Sequence, residues 1–382
     1  MSKIEQLIQQ FCPDGVEYKQ LKEVCSFRNG FAFKSGKFKK VGEPILRIGN
    51  IQNRKVDFSN LIYFDKNEYT ENLKPYEVSF GDILIAMSGA TTGKIGIIKS
   101  ENIYYLNQRV GKFEPNIDVL NNSFLYHFLL TKSNEIYAMA GGGAQHNLSS
   151  TMVMDKILIP IPPLPIQQEI VTILDKFTAL EAELEAELEA RSRQYEYYRN
   201  QLLSFEDKEV EWKALGEVVK ISNGKDHKHL SEGKIPVYGS GGIMRYANDF
   251  IFEKETVLIP RKGSIGNIFY VNEPFWTVDT IFYTKIDFEV IKAKFLYYFL
   301  KTQNLAELNF AGGVPSLTKT ILDKIKIPIP SLEEQERIVN ILDQFDALVN
   351  DIKTGLPAEI KARRAQYEYY RKKMLTFNRV MV

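Results

Sequence analysis

Cysteine is almost missing from this sequence: Cys12 and Cys25 are the only two in 382 residues. Two thiols cannot build a disulfide framework, and without histidines at matching spacing they do not make a zinc site. Both are expected as small buried residues. Long apolar runs are missing too, none reaching the roughly 18 residues that a membrane-spanning helix requires. The opening Met1-Ser2-Lys3-Ile4-Glu5-Gln6-Leu7 has no basic stretch leading into a hydrophobic one. The expectation is a cytoplasmic chain with no membrane contact.

The familiar catalytic signatures are also lacking. There is no Gly-x-Ser-x-Gly elbow, no His-Glu-x-x-His and no dinucleotide-binding Gly-x-Gly-x-x-Gly. Gly89-Ala-Thr-Thr-Gly93-Lys94 approaches a phosphate-binding loop but is one residue short between its glycines and is followed by Ile95 instead of Ser or Thr. Its counterpart, Gly263-Ser-Ile-Gly266-Asn267, lacks the lysine, so both read as turns of shared geometry. His227 and His229 stand without a companion Cys or carboxylate cluster, and a solvated or phosphate-contacting basic loop fits them better than a metal site. The chain is expected to hold no catalytic group, metal or cofactor of its own.

Charge of one sign is scarce: 49 Lys and Arg stand against 48 Asp and Glu, a net charge of +1, unlike a strongly basic nucleic-acid binder. The imbalance is local, since residues 164–209 hold 5 basic against 11 acidic side chains.

What is present is a duplication. Hydrophobic residues at 44% and charged residues at 25% describe an ordinary globular chain, and the length exceeds the roughly 250 to 300 residues that one core supports. Ile159-Pro-Ile-Pro162 returns as Ile327-Pro-Ile-Pro330, and Ile170-Val-Thr-Ile-Leu-Asp175 as Ile338-Val-Asn-Ile-Leu-Asp343. Gln194-Tyr-Glu-Tyr-Tyr-Arg199 returns as Gln366-Tyr-Glu-Tyr-Tyr-Arg371, with four extra residues in the second copy, about one helical turn. More distantly, Phe124-Leu-Tyr-His-Phe-Leu129 matches Phe295-Leu-Tyr-Tyr-Phe-Leu300, and Val16-Glu-Tyr-Lys19 matches Val210-Glu-Trp-Lys213. The order is domain, helix, domain, helix.

Apolar side chains at Ile170, Ile173, Phe177, Leu180, Leu184 and Leu188 alternate in steps of three and four, a coiled-coil seam that continues toward Tyr195 and Tyr198. A helix from Pro165 to about Phe205 would reach roughly 60 Å. The second copy opens with a capping-box pattern at Ser331-Leu-Glu-Glu334 and runs through Ile338, Ile341, Phe345, Leu348 and Ile352. Gly355-Leu-Pro357 then predicts a kink or break. The domains read as mixed α and β, with strands at Asp82-Ile-Leu-Ile-Ala86 and Thr256-Val-Leu-Ile-Pro260, helices from Phe124 and Phe295, and glycine turns such as Gly141-Gly-Gly143 and Gly312-Gly313.

Basic and amide side chains that can meet phosphates or base edges cluster in the domains. The candidates for DNA contact are Lys34, Arg47, Asn50, Gln52, Lys94, Gln108 and Arg109 in the first, and Lys225, His227, Lys228, Arg245, Arg261, Lys262 and Asn267 in the second.

Cys12-Pro-Asp-Gly-Val-Glu17, the doubled Ile-Pro-Ile-Pro followed by Gln-x-x-Ile-Val-x-Ile-Leu-Asp, and the doubled Gln-Tyr-Glu-Tyr-Tyr-Arg together make the whole chain resemble the specificity (S) subunit of type I restriction-modification systems, the HsdS family. The resemblance implies an α+β fold: two mixed α/β target recognition domains separated by two long conserved helices that form an antiparallel coiled coil, in a pseudo-twofold internal repeat. The implied boundaries are 1–158 and 209–326 for the recognition domains, 159–208 for the central and 327–382 for the C-terminal helical region. Each domain would read one half of a bipartite, asymmetric double-stranded DNA site. The helices would dock two modification subunits, with Tyr195, Tyr198, Tyr367 and Tyr370 as candidate docking side chains. Those partners would carry S-adenosylmethionine and methylate adenine N6, and restriction motor-nuclease subunits would join for cleavage. Leu180-Glu-Ala-Glu, Leu184-Glu-Ala-Glu and Leu188-Glu-Ala resemble a repeat whose copy number in this family sets the unread spacer. The rival reading is a non-catalytic coiled-coil scaffold whose end domains bind proteins; it explains the seam and near-neutral charge, but not why the domains diverged while the framework stayed alike.

Overall fold

A computed structural model describes residues 3–141, 146–206, 209–308, 316–351 and 353–380. The chain divides into two compact units, Met1–Glu183 with Lys361–Val382, and Leu184–Ile360.

Each unit is built on a four-stranded antiparallel sheet of the same order. In the first, Cys25–Asn29 pairs with Val110–Pro115, which pairs with Ile83–Ala86, which pairs with Ile95–Ile97. In the second, the sequence is Val219–Asn223, Ile281–Ile286, Thr256–Pro260 and Phe269–Val271. The strands Ile83–Ala86 and Thr256–Pro260 are buried throughout, as continuous apolar runs on central strands should be. The helices Asn122–Thr131 and Ala293–Thr302 cover the sheets, and the helix expected from Phe124 is interrupted at Lys132 before Ser133–Ala138. A second sheet completes each unit: four strands in the first, with Tyr104–Leu106 central, and three in the second, with Ile235–Gly239 central.

The repeated Ile-Pro-Ile-Pro forms one strand of a short antiparallel ladder, against Tyr18–Gln20 in one unit and Glu211–Ala214 in the other. A two-stranded ladder tolerates the prolines because each strand has a free edge. The glutamine that follows is fully buried in both copies. Gln167 Nε2 donates to the carbonyls of Pro162 and Val119 while its oxygen accepts from Asn121 N. Gln335 repeats this with Pro330, Val290 and Lys292. Each amide, itself fully buried, therefore clamps the start of a long helix to its sheet domain through three hydrogen bonds.

The long helices are Leu164–Leu202, and Leu332–Asn350 followed by Leu356–Met374. The break falls at the Gly-Leu-Pro expected to cause it, and a Cβ at Gly355 would overlap the carbonyl oxygens of Ala347 and Leu348. Ser331 caps the second helix by accepting from Glu334 N at 3.2 Å. No helix among the described residues is long and apolar enough to cross a membrane. Cys25 is buried and Cys12 half-buried, both free, and burial pushes the Cys25 thiol up to about 12.

Candidate DNA interface and helix faces

In the first unit several candidate loops converge at the sheet ends. Gly89, with φ 76°, starts a turn whose Thr91 hydroxyl donates to Ile48 O at 2.9 Å and whose Thr92 hydroxyl donates to Gly89 O at 2.7 Å. Lys94 Nζ then reaches Gln52 Oε1 at 3.2 Å, and Arg109 donates to Asn147 at 3.1 Å. Arg47, Gln108, Arg109 and Lys34 are exposed. Lys34 belongs to a separate aromatic corner, where its backbone N–H donates to the Tyr69 hydroxyl.

Asn50 corrects the sequence reading. It is buried, accepts from Arg47 N and donates to the carbonyls of Asp57 and Asn60. A side chain this fully occupied holds its own loop and has no donor left for adenine. Lys94 and Gln52 are likewise partly engaged, with each other.

In the second unit the loop at Lys225–Leu230 is pinned from below. Trp276 Nε1 donates to Lys225 O at 3.1 Å, and one Arg245 nitrogen donates to His227 O and Leu230 O at 2.8 and 2.9 Å. Arg245, expected at DNA, thus spends that nitrogen on loop carbonyls. Arg261 lies half-buried over the Phe282 ring, 5.2 Å from its centroid. Asn267 Nδ2 donates to Ser240 O at 3.3 Å, joining the Gly263 turn to the neighbouring one. Lys225, Lys228, Lys262 and Asn267 remain exposed, and His227 is half-buried. Among the described residues no group of His, Cys, Asp and Glu could hold a metal ion. Gly142, Gly143, Gly312, Gly313 and Ile352 lie outside the described residues.

The helices pair antiparallel within each unit. In the first, Phe177 stacks on Tyr370 at 5.5 Å and Glu181 meets Arg364 at 2.5 Å. In the second, Leu184 packs with Leu356 and Ile360, and Tyr198 stacks on Phe345 at 5.7 Å. Ile170 and Ile338 are fully buried; Ile173, Phe177, Leu188, Ile341 and Phe345 are half-buried. Two seam positions differ from expectation: Leu180 and Leu348 are exposed, while Leu174 and Leu342, one residue off the assigned stripe, are fully buried. Packing on a sheet domain as well as a helix turns the buried face away from a strict two-helix seam.

The tyrosine motif needs the same correction. Tyr195 and Tyr367, expected to dock partners, are 5% and 0% exposed. The residues turned outward are Tyr197 and Tyr369, at 61% and 63%, with Tyr198 and Tyr370 partly covered by their phenylalanines. The helical period carries the signal that the motif alone hides: two residues is about 200°, the opposite face.

Tyr367 ends in a buried polar chain. Its hydroxyl lies 2.8 Å from His127 Nδ1, and His127 Nε2 lies 2.8 Å from Asp175 Oδ1. Arg54 sits 4.5 Å over the Tyr367 ring and binds Glu181 through two nitrogens, at 3.2 and 2.7 Å. In the second unit Tyr298, the counterpart of His127, donates to Asp343 at 2.7 Å. Neither the buried chain nor the glutamine clamps were among the expected sites, although all lie within the repeated motifs.

Residues 13–190 and 207–362 match the family described as the type I restriction modification DNA specificity domain. The chain is 33% identical over 399 aligned positions to a putative type I restriction enzyme specificity subunit of Haemophilus influenzae, covering 95% of this chain and 96% of that protein. It is 38% identical over 291 positions to the EcoR124I/EcoR124II specificity subunit of Escherichia coli, covering 66% of this chain and 70% of that one. The fold is similar to that of the S subunit of a type I restriction-modification system from M. genitalium, with a TM-score of 0.63, 19% identity, and 94% and 96% of the two chains covered. With two copies of the specificity domain spanning most of its length and relatives aligned almost end to end, this chain belongs to the DNA specificity subunits of type I restriction-modification systems.

Proposed function

We propose that the chain supplies the address of a restriction-modification complex and none of its chemistry: each unit reads one half of a bipartite, asymmetric double-stranded DNA site. The observation that carries this is the repeated sheet, which presents corresponding turns at Gly89–Lys94 and Gly263–Asn267 with different side chains around them. A shared framework with divergent loops is what two specificities require. The exposed Arg47, Gln108 and Arg109, and Lys225, Lys228, Lys262 and Asn267, are the residues placed to meet DNA. The terminal nitrogens of Arg261 belong with them.

The long helices set the unread spacer and dock two modification subunits, with restriction motor-nuclease subunits joining for cleavage. S-adenosylmethionine is bound and adenine N6 methylated by the modification subunits. This chain's part is to hold those subunits over the correct bases, where phosphate contacts fix position and base edges fix sequence.

The test is methylation-site mapping of genomic DNA from cells co-expressing a modification subunit with and without this chain. A split adenine-methylated motif that depends on the chain is expected. Its absence with a competent partner would sink the reading. Adding one Leu-Glu-Ala-Glu copy after Glu187 should lengthen the spacer in the mapped motif and leave both half-sites unchanged.

A further inference from the structure

The second unit contains a cavity of about 310 Å³ beside its long helix, walled by Tyr270, Tyr297 and Tyr298 and edged by Lys294, Asp343 and Asp346. The internal repeat identifies what occupies the corresponding place in the first unit. Tyr297 matches Tyr126, Tyr298 matches His127, Asp343 matches Asp175, and Tyr195 matches Tyr367.

There the space is filled by Arg54. This residue turns the hairpin Ile51–Val56 with φ 73°, a left-handed conformation that a non-glycine residue adopts only under constraint from its surroundings. The hairpin is held against the sheet by Arg54 N donating to Ile95 O at 2.8 Å, and by the Tyr126 hydroxyl donating to Arg54 O at 2.7 Å. The guanidinium then lies on the Tyr367 ring and forks onto Glu181. Among the described residues the second unit has no matching hairpin beside Phe269–Val271.

The vacant place keeps the tyrosines and exchanges the carboxylate: Val349 stands at the position of Glu181, and Asp346 at that of Thr178. Tyrosine rings wall it, and Tyr195 donates to Asp346 Oδ1 at 3.5 Å. Asp346 Oδ1 also accepts from Asn350 at 2.9 Å, while its Oδ2 has no donor among the described residues. Asp343 is satisfied by Lys294 at 2.5 Å and Tyr298 at 2.7 Å. Tyr270 adds a further carboxylate by donating to Glu255. Lys294 is the cation on the cavity lining; Lys301 donates to the Tyr297 hydroxyl at 3.2 Å and Arg199 lies 5.7 Å over the Tyr195 ring, which leaves Asp346 without a cationic partner among the described residues. Burial and then these carboxylates hold the Tyr270 and Tyr298 hydroxyls well above the ordinary tyrosine value. A planar cation that stacks on a ring and donates sideways to a carboxylate satisfies such a cavity better than an ammonium does.

We propose that this cavity receives an arginine side chain presented by the modification subunit docked on the second unit, in the place that Arg54 fills in the first. The source of the arginine rests on the docking reading above; the guanidinium site does not. Asp343 and Asp346 flank Phe345, on which Tyr198 of the exposed tyrosine face stacks, so a protein lying on that face passes the cavity mouth. The first unit, already plugged from within, offers its partner no equivalent socket.

The test uses the full chain carrying labelled isoleucine δ1-methyl groups and N-acetylarginine amide as the probe. The Ile268 methyl, which lines the cavity, should shift saturably. N-acetyllysine amide should bind about tenfold more weakly and the neutral citrulline amide not at all. Asp346→Asn should abolish the shift and Asp346→Glu retain it. No saturable shift, or an equal shift with citrulline amide, overturns the site. A second arm weighs the chain assembled with modification subunits by native mass spectrometry. Asp346→Asn should lose one of the two subunits at concentrations where the unaltered chain holds both. Unchanged assembly overturns the partner as the source of the arginine. Failure of the unaltered chain to bind any modification subunit sinks the docking reading instead, and the probe titration would not register that failure.

Discussion

His127 and Tyr367, 240 residues apart in sequence, lie 2.8 Å from each other in the core of the first unit. This bond ties the helix covering the sheet to the last helix of the chain. Its far side faces Asp175, whose carboxylate is half exposed, with Arg54 and Arg371 also nearby. Burial lowers the His127 pKa below the ordinary value of 6.5, and the Asp175 hydrogen bond opposes this without reversing it. The folded protein therefore binds less proton at this ring than the unfolded chain does between the lowered value and 6.5. Stability contributed here is present above that window and is lost as pH falls through it. His127→Tyr, which installs the residue found at the matching Tyr298, should keep a donor toward Asp175 and remove this part of the pH slope. Melting temperatures of both proteins from pH 7.5 down to 5 check it; parallel curves would count against a titrating His127.

Glu181 joins two arginines in the same unit, with Arg54 at 2.7 Å and Arg364 at 2.5 Å, and its side chain is 8% exposed. Burial pushes its carboxyl up, but the hydrogen bonds from Arg54 and Arg364 outweigh this and the net shift is downward. Its contribution is present above the ordinary glutamate value of 4.5 and is lost as pH drops through the lowered one. Glu181→Ala should cost about 3 kcal/mol near neutral pH, because it removes the carboxylate onto which the largely buried Arg54 guanidinium forks. Urea denaturation measures this. Glu183→Ala, at an exposed position of the same acidic run, is the control and should cost under about 0.5 kcal/mol.

Glu181 also shows where the sequence stops being informative. The acidic run reads as one solvated face, and periodicity alone cannot pick out the glutamate that meets Arg54, 127 residues away. The duplication, the long helices, the break at Gly355 and the central strands were legible because each is written in local spacing or in self-similarity. The recognition loops were not. Asn50 and Gln108 are both amides in polar stretches, and only the turn geometry reveals that one is consumed by its loop while the other is exposed.

That distinction gives opposite expectations for DNA binding. Asn50→Ala should lower stability by about 1 to 3 kcal/mol through unsatisfied carbonyls at Asp57 and Asn60, and alter DNA affinity only as far as the fold is lost. Gln108→Ala should leave the melting temperature unchanged and relax sequence preference in the first half-site. Lys225→Ala with Lys228→Ala should weaken binding to all sequences alike and make the log affinity against log salt slope shallower by about 1 to 2, since each phosphate contact contributes about 0.9. Binding titrations of the assembled complex across a salt series measure all three; a salt slope unchanged by the double lysine variant would remove that loop from the interface.

The two copies of Gln-Tyr-Glu-Tyr-Tyr-Arg make the last expectation unusually well controlled, because exposure alternates within one motif. Tyr195 and Tyr367 are buried against the opposing helices, whereas Tyr197 and Tyr369 are 61% and 63% exposed. Tyr367→Ala should cost about 4 kcal/mol, the scale of removing a buried aromatic ring, with a further loss from the unpaired His127. Tyr369→Ala should leave urea stability within about 0.5 kcal/mol of the original, and so should Tyr197→Ala. Their effect belongs to assembly: exposed aromatic side chains are the usual anchors of protein interfaces. Each should weaken capture of a modification subunit by about tenfold or more, and the double variant should lose both. If titrations of the purified subunits gave unaltered affinities for the doubly substituted chain, docking would have to lie on another face of these helices.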